Sequence, residues 1–425
     1  MEDHSTDTQD LFTSERTSIN GHQMKKTVFF HIGYYKTGTS AVQLYCHSHR
    51  KELLRHGILY PETGVCHRNE SHGFLSLKRL EETGQRVPQW FLILMRGMKS
   101  VKSGRRIWEE VVREIESSAA DRVIISSEDF IQYADNKRSQ ALIREIKDFL
   151  SPYDVRVVCY IRRQDDYCES WYNQIVKFGI RVRERCGLPA YESMAETHRN
   201  YLMALDAFEK VFSRKSMIVR IYDRKELRGG DIVQDLLYTV QDGRAGILYC
   251  KNGEEDRNIR LDNSLIELKR WCNHFNTAEG GKRHELYSRM QELFFTAGSF
   301  RSPDNGGKKQ RLLSYGDRLL LLNRAEPVNR EISERYFGGK WPLFSPVGEE
   351  ERETPVVEGP GAGGMLDVML GMMTRIYTGN DAGESSRKKA LERRIREIEQ
   401  SRSWMFTAPL RKLSSFLRSI RCRKD

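Results

Sequence analysis

The run His31-Ile-Gly-Tyr-Tyr-Lys-Thr-Gly-Thr-Ser40 sets Gly33 and Gly38 around Lys36 and supplies the hydroxyls of Thr37, Thr39 and Ser40. Between a strand and a helix, a glycine-bearing turn lets successive backbone N–H groups converge on an anion. The helix N-terminus adds its positive end, the lysine a full charge and the hydroxyls further donors. The composition is that of a phosphate cradle. Its order departs from the Walker A pattern G-x-x-x-x-G-K-[ST], because Lys36 precedes Gly38 and no glycine stands in the required register before it. Magnesium-ATP is therefore not the first expectation.

A second group lies further along, where an apolar run from Val157 to Ile161 leads directly into Arg162 and Arg163. Asp165 and Asp166 are expected to cap a helix that carries Ser170 in its second turn. A strand-end arginine and a helix hydroxyl eight residues later can converge on one phosphate, the first through a charge-assisted fork and the second through its O–H. Taken alone, the segment also fits two surface arginines and a tolerated helix serine. Two such strand-end sites in one parallel sheet, however, open on the same carboxyl edge.

The strands that would position them are legible as short apolar runs: Thr27 to Ile32, Ile58 to Tyr60 before Pro61, Val123 to Ile125, Val157 to Ile161 and Met217 to Tyr222. Longer helical stretches separate them, including one predicted from Thr37 to Arg55, with Val42, Leu44, Tyr45, Leu53 and Leu54 on one side and Gly57 at its end. Strands alternating with helices predict an α/β fold with a doubly wound parallel sheet. After residue 224 the pattern turns helical, with Leu319 to Leu322 among its apolar positions. The expected organisation is a disordered leader over 1–25, an α/β core over 26–240, a helical cap over 241–344, a flexible linker with a short apolar segment over 345–385, and a basic amphipathic tail over 386–425.

The order K-[ST]-G-T-[ST] after a strand closely resembles the 5′-phosphosulfate loop of sulfotransferases that use 3′-phosphoadenosine 5′-phosphosulfate (PAPS). The chain is most similar to bacterial sulfotransferase-like proteins through HIGYYKTGTS, GILYP, Ser126-Ser-Glu128, Arg162-Arg-Gln-Asp-Asp166 and Ser170-Trp-Tyr-Asn-Gln174. The likeness covers residues 26 to 240 well and the later helical half only loosely. It implies a P-loop-type sheet and PAPS as donor, with no metal required. It also implies Lys36 at the bridging oxygen of the leaving phosphosulfate, with Gly33, Thr37, Gly38, Thr39 and Ser40 around it, and Arg162 and Ser170 on the 3′-phosphate.

Sulfuryl transfer moves an SO₃ group from a phosphate leaving group to an acceptor oxygen or nitrogen, so donor and acceptor must be aligned, leaving charge stabilised and one proton accepted. Related enzymes take the proton on a histidine or a glutamate. Glu62, 26 residues after Lys36, resembles the base glutamate of heparan and tyrosylprotein sulfotransferases. His72, which shares its loop with His67, and Glu128 are the other candidates; His31 reads as a packed support of the loop. The expected acceptor is a hydroxyl or amino group of a carbohydrate or glycolipid. The competing readings are an inactive nucleotide-binding or scaffold protein of the same fold, and a small-molecule kinase.

The 425 residues are 39% hydrophobic and 30% charged, enough for a sizeable core without staples. No apolar run approaches the roughly 18 to 20 residues that span a bilayer, and no secretory h-region opens the chain, so a cytoplasmic place is expected. Eight cysteines at 46, 66, 159, 168, 186, 250, 272 and 422 form no CxxC pair and predict neither a disulfide framework nor a zinc site. Of the net charge of +11, most comes from the tail, where 13 Lys and Arg face 4 Asp and Glu from Arg387 onward. There Leu410, Leu413, Leu417 and Ile420 form one stripe among basic residues, the pattern of an interfacial helix. An anionic membrane surface is the expected partner of 401–425, placing the protein peripherally at the inner face; a helix docked on its own domain is the alternative. No nucleic-acid partner is expected, because no recognition motif accompanies the charge.

Overall fold

The computed structural model describes residues 25–66, 70–98, 100, 102–243, 263–274 and 310–357. Five strands, β1 (Thr27–His31), β2 (Ile58–Leu59), β3 (Arg122–Ser126), β4 (Asp154–Ile161) and β5 (Met217–Ile221), form one sheet in the order β2-β3-β1-β4-β5. Every pairing is parallel. All five strands fall on the apolar runs that predict them. In the three inner strands most positions are buried, as a sheet covered on both faces requires, so these runs are continuous rather than alternating.

The first helices are α1 (Thr39–Ser48), α2 (Arg50–Arg55), α3 (Gly73–Glu82), α4 (Gln89–Gly97), α5 (Gly104–Ser117) and α6 (Lys137–Phe149). They are followed by α7 (Gln164–Lys177), α8 (Leu188–Glu192), α9 (Glu196–Arg199), α10 (Tyr201–Phe212), α11 (Ile232–Val240), α12 (Asn263–Asn273) and α13 (Tyr315–Tyr336). On one sheet face Val28, Phe30, Val123, Ile125 and Val157 join Leu75, Trp108, Ile143 and Phe208 of α3, α5, α6 and α10. On the other, Phe29, Ile124, Val158 and Tyr160 join Val42 and Tyr45 of α1 and Leu236 and Leu237 of α11. Each such side chain, fully buried, contributes about 1.5–3 kcal/mol of transfer free energy.

The helix predicted from Thr37 to Arg55 begins two residues later and breaks at His49 into α1 and α2. Gly57 closes it with φ 75°, and a side chain there would run into the Asp121 carboxylate, 2.9 Å from a built Cβ. Leu54, expected on the buried side, is 46% exposed and lies in α2, beyond the break at His49. On α13 only Leu321 of the leucine run is fully buried, whereas Leu319 and Leu320 face outward.

Within residues 345–357 the expected linker is instead a packed segment. Glu351 accepts from Arg311 and Arg318, Arg311 bridges to Val356, and Val357 is buried against α7 and α13. Its Glu-rich composition reads as linker, yet those glutamates are counter-charges to arginines elsewhere in the chain. The remainder of that stretch, the leader up to residue 24 and the basic tail lie outside the described residues. Among the described residues no helix is long and apolar enough to cross a membrane.

Candidate functional site

β1 is the pivot of the sheet. Its neighbours are β3 on one side and β4 on the other, in register at His31 with Ser126 and with Val158. The chain serves one side of β1 and then crosses to the other, and it is beyond the strands' carboxyl ends at such a switch point that sheets of this kind bind ligands. The loop from Ile32 to Gly38 leaves β1 there and leads into α1.

Three residues of that loop are left-handed: Gly33 at φ 63°, Lys36 at φ 66° and Gly38 at φ 80°. For Gly33 the reason is contact, since a Cβ would lie 2.9 Å from the Thr39 methyl and 3.1 Å from the Glu128 Cα. Lys36 holds that conformation with a side chain, at a cost of about 1–2 kcal/mol. Left-handed residues within such a loop are the backbone feature from which anion-binding concavities are built in general. Gly38 is the N-cap of α1 and gives no side-chain cap, so the positive helix end opens onto the loop. Thr37 is turned away from this role: its hydroxyl donates to the Tyr34 carbonyl at 2.6 Å and the side chain is buried, which ties the loop to itself. Thr39 is buried and Ser40 half-buried in the first turn of α1.

Arg162 leaves the end of β4 and donates from Nη1 to the Lys36 carbonyl at 3.1 Å, with the Tyr222 ring 5.5 Å from its guanidinium carbon. Its own carbonyl accepts from the Tyr201 hydroxyl at 2.7 Å. Ser170 lies in the second turn of α7 with 9% of its surface exposed. Asp165 and Asp166 do not cap α7. Its N-cap is Arg163, and the two carboxylates are drawn sideways into ion pairs. Asp165, fully buried, takes both Arg163 and the buried Arg318; Asp166 takes Arg311, which also reaches Glu169. Burial alone would raise the Asp166 carboxyl, but Arg163 and Arg311 outweigh it and hold it down at about 2. Arg163 further donates to the Ser345 carbonyl at 2.9 Å. These pairs fasten α7 to α13 and to the segment around Glu351.

Of the three base candidates, the fold brings Glu128 to the loop. It follows β3, packs against Gly33, is 2% exposed, and accepts from the Gln43 amide at 2.7 Å. Glu62 follows β2 at the sheet edge, with β3 between it and β1; its side chain is 76% exposed and 3.4 Å from Arg50. His72 is fully buried with both ring nitrogens engaged, Nδ1 accepting from the Ser126 N–H at 3.1 Å and Nε2 donating to the Pro61 carbonyl at 3.0 Å. Burial pulls its pKa down to about 3. The ring braces β3 against the loop after β2 and leaves no nitrogen for an acceptor's proton. His67 lies outside the described residues. His31 is buried beneath the loop with Nδ1 2.9 Å from the Ser126 hydroxyl, and burial lowers it to about 4 against the opposing charge of Glu128.

Two features escaped the sequence reading. One is the ion-pair network, whose partners Arg311 and Arg318 have no local mark. The other is an aromatic group on the same sheet edge, in which Tyr35, Trp171 and His198 lie within 5.4 Å of one another by ring centroid. The signal available was adjacency, since Tyr35 precedes Lys36 and Trp171 follows Ser170. Among the described residues no three His, Cys, Asp or Glu are grouped to hold a metal, and the six described cysteines are buried outside any disulfide.

No protein-family profile matches the chain. It is 32% identical over 219 residues to an uncharacterized protein of Archaeoglobus fulgidus, a stretch covering 51% of this chain. The chain spans about half, 54%, of that relative's length. No solved structure matches.

Proposed function

We propose that the protein is a PAPS-dependent sulfotransferase of P-loop type that moves a sulfuryl group to a hydroxyl or amino group of a carbohydrate or glycolipid. The observation that carries this reading is the link between the two motifs, in which the Arg162 guanidinium holds the Lys36 carbonyl from the neighbouring strand. Two anion-binding elements on adjacent strands suit a donor with two phosphate-bearing ends. The left-handed loop and the uncapped start of α1 would hold the 5′-phosphosulfate, and Arg162 with Ser170 the 3′-phosphate. Lys36 would take up charge on the leaving oxygen, and Glu128, beside Gly33, is the base candidate best supported by position.

The loop lacks the Walker A order, which favours a metal-free phosphosulfate donor over Mg-ATP. The test is nucleotide binding followed by transfer. 3′-Phosphoadenosine 5′-phosphate (PAP) should bind without magnesium, and ³⁵S-labelled PAPS should label an acceptor in glycan extracts. Tight Mg-ATP binding with no PAP affinity would instead support the kinase reading. PAP binding with no transfer to any extract would support an inactive nucleotide-binding protein. Peripheral attachment through 401–425 to an anionic membrane surface belongs to the same proposal and is tested by co-sedimentation with anionic vesicles at low and high salt.

A further inference from the structure

Two rings flank the two anion-binding motifs. Tyr35 immediately precedes Lys36, Trp171 immediately follows Ser170, and their centroids are 5.3 Å apart. His198 of α9 completes the group, stacked on Tyr35 at 5.4 Å with 18° between the planes and 4.3 Å from Trp171. All three residues are half-buried. The Tyr35 hydroxyl is fully used: it donates to Asp129 at 2.8 Å and accepts from Gln132 at 2.7 Å. That pair of bonds holds the ring by its hydroxyl edge, and with His198 stacked on the ring the part of its π surface not covered there is what a ligand can meet. His198 is tied through Nδ1 to the Tyr167 hydroxyl, and burial lowers it to about 4, so the group is uncharged at neutral pH.

A rigid, uncharged aromatic surface suits a ligand with an apolar C–H face, such as that of a sugar ring. A nucleobase also stacks on such rings, and the anchoring of Tyr35, the ring next to Lys36, is what favours a sugar over it. Asp129 and Gln132 follow β3, on the opposite side of β1 from β4, whose end carries Arg162. Tyr35, next to Lys36, is thus held from the β3 side, whereas Trp171 and His198 lie on α7 and α9, which follow β4. We infer that Tyr35, Trp171 and His198 form a stacking platform for a pyranose ring of the acceptor, an assignment that rests on the donor-site reading above.

The experiment presents the full chain, with and without PAP, to immobilised oligosaccharides of glucose, galactose, N-acetylglucosamine and hexuronic acid, while calorimetry follows PAP itself. At least one sugar class should be retained. Tyr35→Leu and Trp171→Leu should weaken that retention tenfold or more, Trp171→Phe should restore most of it, and PAP affinity should stay within twofold throughout. Parallel loss of PAP affinity in the leucine variants would reassign the rings to the nucleobase, and retention of no sugar by the unaltered protein in the presence of PAP would overturn the platform outright. Should PAP fail to bind while sugars bind and the leucine variants lose them, the donor reading falls and the platform stands.

Discussion

The Arg162 guanidinium and the Lys36 carbonyl, 126 positions apart in the chain, meet at 3.1 Å. The contact lets β4 hold the loop that follows β1, and it makes Arg162 a brace for the loop of the neighbouring strand.

Lys36 is the residue whose loss should separate function from stability. Lys36→Gly removes the charge assigned to the leaving oxygen, and loss of one such group costs on the order of 10²-fold or more in rate. It also relieves a left-handed φ of 66°, a gain of about 1–2 kcal/mol that offsets the added freedom of glycine in the unfolded chain. Turnover should collapse while the denaturant midpoint stays almost unmoved; unaltered turnover would remove the loop from the donor site.

Ser170→Ala is the cleaner probe of the 3′-phosphate. A hydrogen bond to a charged group is worth about 1.5–3 kcal/mol, so PAP affinity should fall roughly 10- to 100-fold while adenosine 5′-phosphosulfate is little affected. Arg162→Ala should weaken both nucleotides, because it also frees the Lys36 carbonyl. Calorimetry on the two ligands reads the difference, and equal losses for Ser170→Ala would make that serine structural.

Arg163 and Asp165 should matter through stability. Asp165→Ala leaves Arg163 and the buried Arg318 without their shared carboxylate, and breaking a buried pair in this way costs about 3–5 kcal/mol. Arg163→Ala, which also gives up the Ser345 carbonyl, should fall in the same direction. Urea denaturation of both variants beside Ser170→Ala would show the contrast, with Ser170→Ala near the unaltered protein.

A pH effect follows from His72. Its folded pKa of about 3 lies below the ordinary 6.5, so the unfolded chain takes the proton first on acidification. The stability tied to the neutral ring is complete above about pH 6.5 and is lost as pH falls toward 3. Protonation of Nδ1 would also break its bond from the Ser126 N–H. His72→Gln should be less stable than the unaltered protein at pH 8, with a flatter decline between pH 7 and pH 4. Parallel pH curves for the two proteins would rule out this assignment.

The five strands are legible in the sequence because each is a short apolar run whose burial on both faces leaves no alternation to confuse it. The anion loop is legible because glycines, lysine and hydroxyls cluster within a few residues. The base is harder to read. Glu62 and Glu128 both follow strands, and only the order β2-β3-β1 sets one at the edge and the other against Gly33. His72 reads as reactive from its loop position, yet the Pro61 carbonyl and the Ser126 N–H claim both nitrogens. Asp165 looks like a helix cap because its partner Arg318 stands 153 positions away, beyond any local pattern.

The same separation sets a clock on biosynthesis. β1 to β5 and the loop after β1 are complete once residue 221 has emerged, whereas Asp166 of α7 waits 145 further positions from its own place in the chain for Arg311. At about 5–20 residues per second that interval is roughly 7 to 30 s. During it the nascent chain carries an anion loop opposite a helix with three acidic side chains, Asp165, Asp166 and Glu169, still lacking their distant counter-charges. Until Arg311 and Arg318 have been made, α7 lacks the ion pairs that fasten it to the C-terminal part of the described chain.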